Sequence, residues 1–135
     1  MSRRTARPSG SAPPASCPCG LPAAYEACCG RYHSGGVAAP TAEALMRSRY
    51  SAFVKGDVGY LTRTWHPRTR PGRLDLDPRM RWTRLEILDT VDGTAFHATG
   101  IVEFRASYRG GALRERSRFE RVDGAWVYVD GEFPE

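Results

Sequence analysis

Met80 to Gly131 reads MRWTRLEILDTVDGTAFHATGIVEFRASYRGGALRERSRFERVDGAWVYVDG, an apolar–polar alternation interrupted at Asp92-Gly93, Gly110-Gly111 and Asp123-Gly124. A period of two marks a strand with one buried face. Asp-Gly or Gly-Gly between two such runs is a strong hairpin signal, because tight two-residue turns need positive φ. The stretch predicts a four-stranded antiparallel meander, with strands near 80–91, 94–108, 112–122 and 125–131. Two-residue loops also set a register. Gly110-Gly111 puts Phe104 opposite Ser117, Ala106 opposite Glu115 and Tyr108 opposite Leu113. Asp123-Gly124 puts Phe119 opposite Tyr128 and Ser117 opposite Asp130, and Asp92-Gly93 puts Ala98 opposite Ile87. One face then collects Leu85, Ile87, Phe96, Ala98, Val102, Phe104, Ala106, Tyr108, Leu113, Phe119, Trp126 and Tyr128 as the core side.

Glu115, Ser117 and Asp130 fall on that apolar face, on neighbouring strands. With Arg49 and Tyr50 from upstream they make a candidate pocket, since two carboxylates near a hydroxyl in apolar surroundings suit acid–base work or ligand binding. The plainer account is a structural ion pair between the carboxylates and Arg49. The other face carries Arg105, Arg114, Arg116 and Arg118, with Arg105 across from Arg116, a candidate basic patch for phosphates. Glu86, Glu103 and Glu120 share this face, and Trp82 is its one aromatic residue. Sequence-specific nucleic-acid recognition is therefore not expected.

Upstream of the meander the period changes. Ala42, Leu45, Met46, Arg49, Tyr50 and Phe53 recur at three- and four-residue steps, predicting a helix with one apolar face. Thr41 is its N-cap, Glu43 suits the first turn, and Gly56 is its C-cap. A second helix spans about 57–65, with Val58, Leu61 and Trp65 on one side, and Pro67 stops it. Residues 67–78 read as a long connecting loop. His66 ends the second helix and His97 lies on the outer strand face. Neither has a nucleophile at triad-like spacing, so no catalytic residue is assigned.

All four cysteines of the chain sit further upstream, in CPCGLPAAYEACCG (17–30). Thiolates are soft ligands, and four of them close a tetrahedral shell around zinc or iron. Cys17, Cys19, Cys28 and Cys29 are the candidate ligands, with His33 as a substitute for the last. The alternative is two disulfides, but the basic N-terminus lacks the apolar run of a signal peptide, and a reducing, cytoplasmic setting favours metal. Residues 22–28 fit one short helical turn. Ser34-Gly35-Gly36 reads as a joint to the rest. Residues 1–16 hold no large apolar side chain and read as a disordered tail.

CPCG-x4-Y-x2-CCG resembles the SEC-C zinc hook, the small motif also found at the C-terminus of the SecA translocation ATPase. The resemblance runs on through RYHSGG, APTAEALMRSRYSAFV (39–54), TWHPRTRP (64–71) and WVYVDG (126–131). Together these resemble the YchJ family of small bacterial metal-binding proteins. The resemblance implies an α+β fold of the nuclear-transport-factor-2-like cone type: two N-terminal helices packed on a curved four-stranded meander, covering 37–135, behind a zinc hook and hinge at 17–36. It also implies a protein-binding role, since SEC-C hooks are associated with ribosomal and export-chaperone partners. The family hook reads Cys-Gly-Ser-Gly from its second cysteine. Here Leu21 and Pro22 replace Ser-Gly, so any contact of that hydroxyl is lost.

The chain has 135 residues, enough for one domain and an appendage. Its formal charge of +5 rests on arginine, Lys55 being the one lysine. A basic surplus suits acidic or ribosomal partners. No apolar run is long enough to span a bilayer. Two further expectations stand beside the docking role: a cone pocket that binds a small molecule or works as an enzyme, and a hook that carries or senses metal.

Overall fold

The computed structural model describes residues 16–134. The expected tail at 1–16 lies outside the described residues except for Ser16, which bridges to Ala24. A 3-10 turn at Tyr25–Ala27 leads into α1 (Cys29–His33). The helices α2 (Ala42–Lys55) and α3 (Val58–Arg63) follow, and then strands β1 (Trp82–Asp92), β2 (Thr99–Tyr108), β3 (Gly111–Val122) and β4 (Ala125–Glu132). The strands form one sheet in the order β1-β2-β3-β4, all antiparallel.

The local signals act where they stand in the sequence. Thr41 Oγ1 accepts from Ala44 N at 3.0 Å, and Gly56 closes α2 in the left-handed region at φ 75. Asp57 Oδ1 accepts from Tyr60 N and starts α3. Thr41→Ala is expected to cost about 1 kcal/mol, the usual worth of an N-cap, in a denaturant titration. Among the described residues, no helix is long and apolar enough to cross a membrane.

The register differs from the sequence expectation in each of the three strand pairs. Tyr108 pairs with Gly111, so the turn is Arg109-Gly110, with the positive φ at Gly110. That slides the pairing by two residues and keeps every face: Phe104 meets Glu115, Ala106 meets Leu113 and Val102 meets Ser117. Asp92 and Gly93 do take positive φ, but the strands do not pair directly across them. Thr94 and His97 bond to each other through Thr94 Oγ1 and His97 Nδ1 at 2.8 Å, holding a longer loop. Arg121 closes it from β3 by donating to the His97 and Thr94 carbonyls. His97 therefore lies in a loop rather than on the outer strand face. Phe96, expected in the core, is 97% exposed, and Ala98 is exposed with it.

The third difference is in β4. Asp123-Gly124 pairs Val122 with Ala125 and Phe119 with Tyr128 as expected, but then Arg118 pairs with Asp130 and Ser117 with Gly131. A bulge at Val129 has inserted one residue, which turns Asp130 to the outer face. A similar irregularity between Trp82 and Arg84 turns Trp82 inward, against Tyr50, Phe53 and Tyr108. Trp82 is thus a core-side residue and not the aromatic of the outer face.

The main core joins α2, α3 and the inner sheet face: Leu45, Met46, Tyr50, Leu61, Leu85, Val102, Phe104, Phe119 and Trp126 are all buried in it. Helix α2 is covered on its other side too. Ser48 and Ser51 have no exposed surface: the Ser48 hydroxyl meets Tyr60 Oη of α3 at 2.6 Å, and the Ser51 hydroxyl lies 3.5 Å from Cys17 Sγ. Tyr32 of α1 belongs to the main core cluster. Arg63 of α3 reaches back with Nη2 to the carbonyls of Tyr32 and His33. The joint at Ser34–Gly36 therefore links parts that are packed together on both sides of it.

Candidate metal centre

Two tight turns aim the cysteines at one point. Cys17 N donates to Ala23 O at 2.7 Å, and Gly20 N donates to Cys17 O at 3.1 Å. Gly20 takes φ 97, a conformation an L side chain resists, so the chain folds back immediately after Cys19. On the far side Cys28 N donates to Tyr25 O, and α1 begins at Cys29. The four sulfurs lie within 4.8 Å of one another, and all four cysteines are buried. Cys19 and Cys28 Sγ are 3.7 Å apart. Four sulfurs around zinc at about 2.3 Å stand about 3.8 Å apart along the tetrahedral edge. The cluster therefore fits a tetrahedral thiophilic ion.

Protonation fits the same picture. Hydrogen bonding from Cys29 draws the Cys19 thiol down to about 5. Burial pushes Cys28 up to about 11, and the bond to Cys19 pushes Cys29 up further. The Cys19 thiolate is favoured in this nest, while burial and the Cys19 charge disfavour those of Cys28 and Cys29. A bound cation would remove that penalty and let all four ionise.

The support comes from a stripe on α2 that the sequence reading passed over: Arg47, Ser48, Ser51 and Lys55. Arg47 Nη1 donates to Cys19 O at 2.8 Å. The Ser51 hydroxyl lies 3.5 Å from Cys17 Sγ and donates to it when that sulfur is a thiolate. Lys55 Nζ stands 4.3 Å from the centre of the Tyr25 ring. The signal was two serines three apart on the side of α2 opposite its apolar face, small enough to admit another backbone.

His33 stands outside the four-sulfur group, and both its nitrogens are engaged elsewhere. Nε2–H donates to Ser48 O at 2.8 Å, and Tyr25 Oη–H donates to Nδ1 at 2.6 Å. His33 thus ties the cysteine segment to α2. We expect His33→Ala to lower stability by about 2 kcal/mol by chemical denaturation, the cost of losing two partly buried hydrogen bonds. The variant should keep its full metal content by elemental analysis, whereas loss of metal would make His33 a ligand.

Comparison with known proteins agrees with this geometry. Residues 41–131 match the family described as "YchJ, middle NTF2-like domain". The chain belongs to the YchJ family. It is 72% identical over 131 residues to a UPF0225 protein of Streptomyces avermitilis, covering 97% of this chain and 94% of that one. A UPF0225 protein of Streptomyces coelicolor is 79% identical over 117 residues, covering 87% and 94%. Among solved structures, a SEC-C motif containing protein from Rhodopseudomonas palustris superposes with a TM-score of 0.78 at 32% identity, covering 90% of this chain and all of that one. A second, from Psychrobacter arcticus, gives 0.70 at 27%, covering 89% and 83%. The fold of this YchJ-family chain is thus the nuclear-transport-factor-2-like α+β type, with a SEC-C-like cysteine cluster at its N-terminal end.

The other residues singled out in the sequence separate into two groups. Arg49, Tyr50, Glu115 and Ser117 do line one cavity under α2. Asp130 does not join them, because the β4 bulge pairs it with Arg118 on the outer face. Nor does Arg49 pair with Glu115. Arg49 Nη1 donates to Leu61 O and Thr64 Oγ1, while Glu115 Oε2 accepts from Ser117 Oγ at 2.8 Å and Tyr128 Oη at 2.7 Å.

The outer arginines are neutralised one by one. Arg105 lies opposite Arg114, not Arg116, after the register slide. Arg105 reaches Glu86, and Arg114 and Arg116 both hold Glu103, whose carboxyl they keep below its usual range. Arg116 also meets Asp89, and Arg118 is forked onto Asp130. Each of these four guanidiniums thus faces a carboxylate, and the four together make no unpaired basic group.

Proposed function

We propose that this YchJ-family chain is a non-enzymatic, zinc-binding protein that docks through its SEC-C hook onto a protein partner, either ribosomal or an export chaperone. The observation that carries the reading is the closed cluster: four buried sulfurs, with no histidine or carboxylate grouped with them among the described residues. Such a site leaves no open coordination position for a substrate, which is the mark of structural metal. Zinc would hold the four thiolates, and its part would be to fix the hook's shape. We take zinc over iron because a structural role needs no redox change. Four free thiols are kept by a reducing compartment, so the reading includes a cytoplasmic location.

The hook also offers a surface. A shallow groove of about 420 Å³ runs along it, lined by Tyr25, Glu26, Gly30, Arg31, Ser34 and Val37. Val37 is half exposed there. The test is a pull-down against purified ribosomes and a purified export chaperone, with metal measured on each bait. Wild type should hold one zinc and retain one of the two. Cys17→Ser/Cys19→Ser should lose metal and partner together, and Val37→Asp should keep the metal but lose the partner. Equal capture by the metal-free variant would end the docking reading and leave the hook a structural staple.

A further inference from the structure

Between α2 and the inner sheet face lies a cavity of about 200 Å³. Its walls are largely aromatic, with Tyr50, Phe53, Trp65, Trp82, Phe104 and Tyr128 all contributing. Two charged side chains also line it, and both are buried: Arg49 is 3% exposed and Glu115 is 8% exposed. Buried opposite charges normally pair with each other. Here they do not. The phenol of Tyr128 stands between them, its ring 4.8 Å from the Arg49 guanidinium and its hydroxyl donating to Glu115 Oε2.

The division of hydrogen bonds is uneven on both groups. Glu115 Oε2 accepts twice, from Ser117 and Tyr128, while Oε1 accepts from nothing among the described residues. Arg49 Nη1 donates twice, and among the described residues Nε and Nη2 have no acceptor. Trp65 Nε1 is the one fully buried side-chain nitrogen or oxygen without a partner among them. The free valences of Arg49 and Glu115 therefore stay open to solvent, and the cavity is the space both residues border.

The carboxylate is also built in on purpose by the backbone. Gly131 leaves room for it, since a Cβ there would meet Glu115 Oε2 at 2.1 Å. The bulge that expels Asp130 brings Gly131 opposite Ser117, beside Glu115.

We propose that this cavity binds a small planar aromatic lactam, whose ring N–H donates to Glu115 Oε1 and whose carbonyl accepts from the free N–H groups of Arg49. The two protein charges cancel, so the complementary guest is neutral. It must offer a donor and an acceptor together, as a ring amide does. The aromatic walls select a flat ring system. The volume is below the roughly 300–1,000 Å³ of drug-sized sites, which limits the guest to one or two fused rings.

The test uses the metal-loaded chain and carbostyril, the bicyclic lactam of quinoline, followed by protein NMR. Saturable shifts are expected at the Trp65 and Trp82 indole signals, with a dissociation constant below about 1 mM. Quinoline, which has the same bicycle without the N–H donor, should bind at least about tenfold more weakly, as expected when a buried acceptor is left unpaired. Glu115→Gln should weaken carbostyril about tenfold, and Leu113→Trp, which fills the cavity from a half-buried wall position, should abolish binding in a folded chain. Should Glu115→Gln fail to fold, the quinoline comparison and Leu113→Trp still carry the test. No saturable shift, equal affinity for the two bicycles, or undiminished binding by Leu113→Trp would each overturn the proposal.

Discussion

Replacing Cys19 with serine is expected to release the metal and unfold residues 17–33 while the four-stranded sheet stays folded. Cys19 has no exposed surface, and hydrogen bonding from Cys29 lowers the pKa of its thiol. Among the described residues, Ala23 and Tyr25 are the only apolar cover around the four cysteines, so this segment has almost no core of its own. In small zinc modules the metal supplies about 10–16 kcal/mol of apparent binding energy, and without it the module does not fold. The loss spreads beyond the segment, because Tyr32, Ser48 and Ser51 are buried beneath it or within it. We expect the whole chain to lose about 4 kcal/mol, the scale reached when a metal site is removed. Hydrogen exchange should show residues 17–33 unprotected and β2 and β3 still protected. Stripping the wild type with a strong chelator should reproduce both effects. An unchanged unfolding midpoint in Cys19→Ser would mean that the cluster does not stabilise the fold.

Gly131→Ala should be nearly as damaging, for a reason that lies far from the metal. Its φ is not in the left-handed region, so backbone strain is not the cause. A methyl group there would stand 2.1 Å from Glu115 Oε2 and 2.7 Å from its Cδ. Glu115 must then swing away, and the hydroxyl of Ser117, which has no exposed surface, loses its acceptor. Overpacking and an unsatisfied buried hydroxyl together are expected to cost about 3 kcal/mol. The second half of the prediction isolates the mechanism. In a Glu115→Ala background the clash is gone, and Gly131→Ala should then cost less than about 0.5 kcal/mol. A cost that stayed the same in both backgrounds would show that Gly131 is required for something other than Glu115.

Much of the fold was legible because its signals are local. Thr41 and Gly56 bracket α2, Asp57 starts α3, and Asp123-Gly124 makes the tight turn it advertises. The cysteine cluster was legible for the same reason, all four cysteines lying in one short segment. The failures came from contacts that are distant in sequence. Asp92-Gly93 looks like a two-residue hairpin, but Arg121 stabilises a longer loop from another strand. The β4 bulge at Val129 is favoured by the Arg118–Asp130 pair outside and the Glu115 carboxylate inside. No feature of residues 125–131 read alone reports either one. Asp130 was therefore assigned to the pocket when its partner is on the outer face. The four-stranded arrangement survived these errors because a slide of two residues keeps each side chain on its face.

The buried side of α2 taught a second lesson. Its apolar face was plain from the three- and four-residue spacing. Ser48 and Ser51 drew no reading from the sequence, yet both are fully buried, Ser51 beneath Cys17 and Ser48 against Tyr60 of α3. Small polar residues on a helix serve close packing as readily as they serve water, and only the third dimension distinguishes the two.

The most direct test of the account is X-ray absorption at the metal edge of the purified chain, with the metal counted by elemental analysis. One zinc per chain with a single shell of four sulfurs at about 2.3 Å is the predicted result. A shell that includes nitrogen, fewer than four sulfurs, or a chain that binds no metal would contradict it.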